Sequence, residues 1–156
     1  MPSVLIVRRE RPRALPRPHP LIALPAALLC LAVVWIHVQD QGGFPGSKSP
    51  RYVGIGYYLL EVGGVLAAAV LVGYAARPLA RSALPWLLAG GIAAGPLIGY
   101  LLSRGPGLPA YTDDRGNWTE PLGLAGLAVE ATLLAVTAVA LRLHRRARGP
   151  GVGDHG

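Results

Sequence analysis

Residues 52–76 read YVGIGYYLLEVGGVLAAAVLVGYAA. A single ionisable carboxylate, Glu61, interrupts a run of aliphatic residues, glycine and tyrosine. A helix crosses the hydrocarbon of a bilayer with about 20 apolar residues, and this run is long enough. It is continuously apolar, so it lacks the in–out alternation of a barrel strand. A lone segment in hydrocarbon must satisfy its own backbone hydrogen bonds, which forces a helix. The stretch therefore predicts a transmembrane helix over 52–76.

Three more runs follow the same reading. They are PLIALPAALLCLAVVWIHV at 20–38, ALPWLLAGGIAAGPLIGYLL at 83–102 and PLGLAGLAVEATLLAVTAVAL at 121–141. The chain has 156 residues, which makes one domain the natural expectation. Hydrophobic residues make up 52% of it and the mean hydropathy is +0.42. The expected fold is all-α, an up-down four-transmembrane-helix bundle over 20–141. A basic tail of Pro and Arg at 1–19 precedes it, and a second basic tail at 142–156 follows. The first run has a basic flank, as a signal peptide would. QDQGGFPGS after it lacks an A-x-A cleavage site, so the helix is expected to be retained.

The net charge is +7. Arg8, Arg9, Arg11, Arg13 and Arg17 lie in the first tail, Arg77 and Arg81 in the turn after residue 76, and Arg142, Arg145, Arg146 and Arg148 in the last tail. Lys48, Arg51, Arg104 and Arg115 lie in the other two connections. The excess of Lys and Arg marks the cytoplasmic side, so both termini are expected there. The Arg-, Ala-, Gly- and Pro-rich composition suits a high-GC bacterial genome. The expected location is the cytoplasmic membrane of a bacterium, multi-pass. The arginines flank spans rather than forming a basic face with interleaved aromatics, so no nucleic-acid partner is expected. Cys30 is the single cysteine, which excludes an intrachain disulfide and a CxxC redox pair.

Gly91, Gly95, Gly99 and Ser103 recur at four-residue spacing in the third run. Small residues on one face let another backbone approach closely. They predict a packing seam, within the bundle or with a membrane-protein partner or second copy. The lipid bilayer is the other expected partner. Trp35, Tyr52, Tyr100, Tyr111 and Trp118 read as one aromatic belt, and Tyr74 and Trp86 as the opposite one.

Glu61 and Glu130 require a further explanation. A charge at the bilayer centre costs about 2.5–3.5 kcal/mol on insertion scales. An apolar residue returns only about 0.3–0.6 kcal/mol. Each glutamate is therefore expected to face the bundle interior with a partner. Each stands nine positions from its helix start, about 14 Å down. They are expected to share a layer, and a shared proton if they meet. Tyr57 and Tyr58, one turn from Glu61, are candidate hydrogen-bond donors to it. His37, by the same counting, lies roughly 10 Å above that layer. His37, Glu61 and Glu130 are thus only weak candidates for a metal site, whose ligands would lie about 2.0–2.2 Å from zinc. No cofactor is expected.

The stretch SRGPGLPAYTDDRGNWTEP at 103–121 reads as an irregular outer loop and a helix start. Its Asp113, Asp114 and Glu120 fit no calcium-loop spacing. Asn117 or Thr119 is placed to cap the fourth helix, Glu120 suits its positive end and Pro121 its first turn. Arg104, Glu120, His37 and Asp40 form a candidate outer rim.

Ser103, Arg104, Gly107, Leu108, Pro109, Glu120, Pro121, Gly123 and Glu130 form an SR-x-x-GLP … EP-x-G … buried-Glu pattern. In this the chain resembles uncharacterised small four-helix integral membrane proteins of actinobacteria over roughly 20–141. The resemblance implies the same topology and supplies no reaction.

No motif of a known enzyme class is present, so a reaction is not expected, though none is excluded. The leading expectation is a non-enzymatic structural or accessory component of a membrane complex. The alternative is a small proton- or ion-coupled transporter or channel component using Glu61 and Glu130. A metal or haem redox subunit built on His37 ranks third.

Overall fold

The computed structural model describes residues 20–76 and 82–147. Regular structure among these residues is helical: α1 (Pro20–Asp40), α2 (Arg51–Ala76), α3 (Leu84–Arg104) and α4 (Pro121–Ala147). One isolated bridge, Leu108 with Tyr111, lies in the α3–α4 connection. All four helices are long and apolar enough to cross a membrane, and the chain reads as a multi-pass membrane protein. Residues 1–19, the turn with Arg77 and Arg81, and the last tail from Arg148 lie outside the described residues.

Consecutive helices pack on one another, and α4 returns against α1. The interior is built from small side chains. Ala23, Ala26, Cys30, Ala67, Ala89 and Ala93 are fully buried. Large apolar residues point outward: Leu28, Trp35, Leu59 and Val62 are exposed. In lipid this arrangement costs nothing, because lipid tails are as apolar as leucine. Helices then associate through close packing of small residues. Gly64 shows how close that packing is. A Cβ built there would collide with Val34 Cγ2 and stand 3.5 Å from the Cys30 carbonyl oxygen.

Several sequence expectations need correction. Tyr74 and Trp86 are no belt: they are buried, with ring centroids 5.8 Å apart in an edge-on pair. They fill the core where the end of α2 meets the start of α3. Helix α4 runs past Leu141 to Ala147 and takes Arg142, Arg145 and Arg146 with it. Basic residues suit the negative end of a helix, so its apolar run does not mark where it stops. His144, on this extension, is buried.

The α1–α2 and α3–α4 connections lie at the same end of the bundle, where Tyr52 Oη donates to the Pro109 carbonyl over 2.6 Å. This is the loop end.

Candidate functional site

The loop end is organised by Arg104, the last residue of α3. Its Nη2 donates to Glu120 Oε2 over 2.7 Å and its Nη1 to Asp114 Oδ2 over 3.0 Å. Its Nε donates to the Asn117 carbonyl over 3.1 Å, and its backbone carbonyl accepts from Gly116 N–H over 2.8 Å. The guanidinium lies over the Tyr100 ring, 4.4 Å from its centroid. Tyr100 Oη donates to the Trp118 carbonyl over 3.0 Å. Residues 105–120 are thereby folded back over the end of α3. The turn into this fold uses Gly107 at φ +84°, a conformation L side chains rarely adopt. Gly123 leaves room for the clamp. A Cβ there would stand 2.8 Å from Tyr100 Cε2, 3.0 Å from Glu120 Oε2 and 3.3 Å from Arg104 Nη2. The glycine of EP-x-G thus has a steric reason.

Tyr111 Oη donates to the same Asp114 carboxylate over 2.6 Å. Burial chiefly, and then this hydrogen bond, push the phenol above its ordinary pKa. The α1–α2 side carries a second cluster. Lys48 Nζ pairs with Asp40 Oδ1 at 3.2 Å, Tyr57 Oη donates to Asp40, and the Tyr57 ring tilts against His37 with centroids 5.4 Å apart.

Beneath both clusters lies a cavity of about 510 Å³. All four helices line it. Its apolar wall includes Ile36, Leu59, Leu60, Ile92, Pro96 and Leu122, and its polar groups include His37, Asp40, Arg104, Asp114, Glu120 and Glu130. Glu130 is 3% exposed and forms no hydrogen bond among the described residues. Its Oε1 stands 3.8 Å from His37 Nε2. The other ring nitrogen, Nδ1–H, donates to the Val33 carbonyl over 2.9 Å. That bond fixes which nitrogen faces the carboxyl.

The structure gives the two glutamates different surroundings. Glu61 is buried and accepts from Gln41 Nε2 over 2.5 Å, and it does not line the cavity. Glu130 lines it. His37, placed well above by counting, is Glu130's neighbour. The count assumed that all helices start and end on common planes. Instead Ile36, near the end of α1, lies level with Gly126 of α4: its Cγ2 is 3.7 Å from a Cβ built there. Gly126 is one turn above Glu130, and the two long side chains bridge the rest. The tyrosines are also reassigned. Tyr57 goes to Asp40, and Tyr58 Oη donates to the Gly46 carbonyl over 2.5 Å, so neither serves Glu61. Helical side chains lean toward the helix N-terminus, which for α2 is the loop end.

The α3 stripe is corrected too. Nothing lies within 4 Å of a Cβ built at Gly91, Gly95 or Gly99. With Ser103 these residues form a wall of the cavity, not a seam between helices of this chain. The described residues contain no group of three or more His, Cys, Asp or Glu arranged to hold a metal. Gln41, on Glu61, and Lys48, on Asp40, are site residues that the sequence pattern does not single out. Polar residues in a short connection carry no sequence signal for which helix they will face.

Comparison of the chain with protein-family models, curated proteins and solved structures finds no match.

Proposed function

We propose that the chain is a non-enzymatic protein of a bacterial cytoplasmic membrane that binds a small molecule in its cavity and exchanges it for a proton at Glu130. Kinship with the small actinobacterial membrane proteins, an up-down topology and cytoplasmic termini belong to the same proposal. The observation that carries it is Glu130: a buried carboxyl without a hydrogen bond, facing a cavity of about 510 Å³. Ligand sites commonly occupy about 300–1,000 Å³, mostly apolar with a few convergent polar groups. An ionisable residue inside a membrane bundle commonly marks a substrate or proton path.

The chemistry follows from the His37 tautomer. With Nδ1–H committed to Val33, Nε2 and the Glu130 carboxyl hold one exchangeable proton between them. Their 3.8 Å separation exceeds hydrogen-bond reach of about 3.2 Å, so proton transfer between them needs the side chains to close by about half an ångström. Tyr57, Asp40 and Lys48 are the ionisable groups around His37 toward the loop end. Proton release in that direction leaves a carboxylate facing the cavity. Infrared pH titration of the reconstituted protein tests this. A protonated-carboxyl band that titrates is expected to vanish in Glu130→Gln and to shift its midpoint in His37→Ala. An unchanged titrating spectrum in Glu130→Gln overturns the assignment.

One observation favours a second reading, an accessory component of a larger membrane complex. The open α3 stripe at Gly91 and Gly95 has space for another protein's helix. Stoichiometric co-purification of a membrane partner, lost in Gly91→Leu/Gly95→Leu, supports that reading over the first.

A further inference from the structure

The charges around the cavity are unbalanced. Asp40, Asp114, Glu120 and Glu130 line it, while Arg104 is the lining cation whose charge is permanent and Lys48 stands beside Asp40. Both cations are engaged. Arg104 is divided between Asp114 and Glu120, and Lys48 is paired with Asp40. Glu130 has only an imidazole near it, and that imidazole carries charge only when protonated. An anionic ligand would meet excess carboxylate and a guanidinium already engaged through Nε, Nη1 and Nη2. A cation would meet an unmatched, desolvated carboxyl. The walls suit positive charge as well. Tyr57 and Tyr100 already face Lys48 Nζ at 5.6 Å and Arg104 Cζ at 4.4 Å, and tyrosine faces attract cations.

The rest of the cavity is apolar and open at the side. Gly91 and Gly95 of α3 are exposed, and Leu59 of α2 is 70% exposed, yet all three line it. Gly56 of α2 also lines it, with nothing within 4 Å of a built Cβ. The gap between α2 and α3 therefore leads from the apolar surroundings of the bundle to the Glu130 carboxyl.

We propose that the ligand is a monocationic amphiphile, an apolar body with an amine or quaternary ammonium head, which enters between α2 and α3 and seats its head at Glu130. This rests on the cavity-binding reading and names its substrate class. The empty pair of Glu130 and His37 holds one proton. The cation replaces it, and the released proton leaves, so the charge in the cavity is unchanged.

Calorimetry on the full chain in neutral phosphatidylcholine nanodiscs tests this, with decyltrimethylammonium, decanol and decanoate as probes of equal chain length and empty discs as the blank. Decyltrimethylammonium is expected to bind saturably and release about one proton, seen by comparing buffers of different ionisation enthalpy. Glu130→Gln is expected to weaken it by on the order of tenfold or more, the scale of removing one partner of a buried charge pair. Glu130→Asp keeps part of the affinity. Gly95→Leu projects into open space, so the bundle has room for it, and it is expected to abolish binding of every probe. Equal decyltrimethylammonium affinity in wild type and Glu130→Gln, or tighter binding of decanoate, overturns the substrate class. If decanol still binds and Gly95→Leu removes it, the cavity reading survives that loss. Binding of no probe overturns both.

Discussion

Two glycine-bearing faces of the bundle meet opposite fates. On α2, Gly64 sits so close to α1 that a single added carbon would strike Val34. On α3, Gly91, Gly95 and Gly99 repeat at regular spacing and touch nothing a Cβ would reach. The difference lies in the neighbours. The Gly64 face continues into Ala67 and Ala68, and buried Ala26, Ala27 and Cys30 on α1 belong to the same core, so two small surfaces close on each other. The α3 stripe shares its cavity with Leu59, Leu60 and Tyr57, and bulky side chains leave space between helices. Spacing alone marks a smooth helix face; what lies opposite decides whether it becomes a seam or a wall.

The largest expected effect comes from the clamp that roofs the open face. Arg104→Ala leaves Asp114 and Glu120 without their cation and frees residues 105–120 from the end of α3. Breaking a buried ion pair from one side costs about 3–5 kcal/mol. The carboxylates here are only partly buried, so the expected loss is about 2–4 kcal/mol. Reversible unfolding in mixed micelles measures it. If the clamp roofs the cavity, amide exchange should rise at 105–120 far more than at the Gly64 seam. Equal protection in both regions would mean that the clamp is not a local device.

Gly64→Ala overpacks the seam and is expected to cost about 1–3 kcal/mol in the same assay. Gly95→Ala has open space, and replacing glycine within a helix is expected to be neutral or to stabilise by up to about 1 kcal/mol. Opposite signs for two identical substitutions would sharpen the distinction. Equal losses would erase it. Gly123→Ala stands between them, because its Cβ meets the clamp side chains of Tyr100, Glu120 and Arg104 less tightly than a Gly64 Cβ meets Val34. It is expected to cost about 1–2 kcal/mol and to do so only while Arg104 is present, as a double-mutant cycle shows.

The same contrast explains what was legible in the sequence. The four helices were, since hydropathy and length set them whatever their neighbours. The burial of Glu130 was, because a carboxylate in an apolar run must turn away from lipid. Its partner was not. Depth counting treats helices as starting on common planes, and the real offset of α1 against α4 brings His37 to it. Proximity along the chain points Tyr57 and Tyr58 at Glu61, whereas the lean of helical side chains sends them the other way. A position near a helix end gives Trp86 the look of a belt residue, and nothing in its own segment shows that Tyr74 packs over it. Arg104, Asp114 and Glu120 were each noticed. Their meeting depends on the fold of residues 105–120, which no periodicity encodes.

The smallest effect concerns the roof and pH. Tyr111 lies in the α3–α4 connection, and burial followed by its hydrogen bond to Asp114 raises its pKa above the ordinary phenol value. A group raised in the folded state supports the fold fully below its unfolded pKa, about 10 for tyrosine. That support falls as the pH rises from there through the folded value. Wild type should therefore lose stability above about pH 10 more steeply than Tyr111→Phe, whose ring keeps the packing without the titrating hydroxyl. Below that pH the two should differ only by the lost hydrogen bond, about 0.5–1.5 kcal/mol. Ultraviolet titration supplies the independent reading, since the phenolate absorbance removed by Tyr111→Phe should appear above the ordinary phenol range. The part of the exchange response that Tyr111→Phe removes should be confined to 105–120, so exchange at the Gly64 seam should not show it. If it did, the two faces would unfold as one unit and their contrast would be one of packing alone.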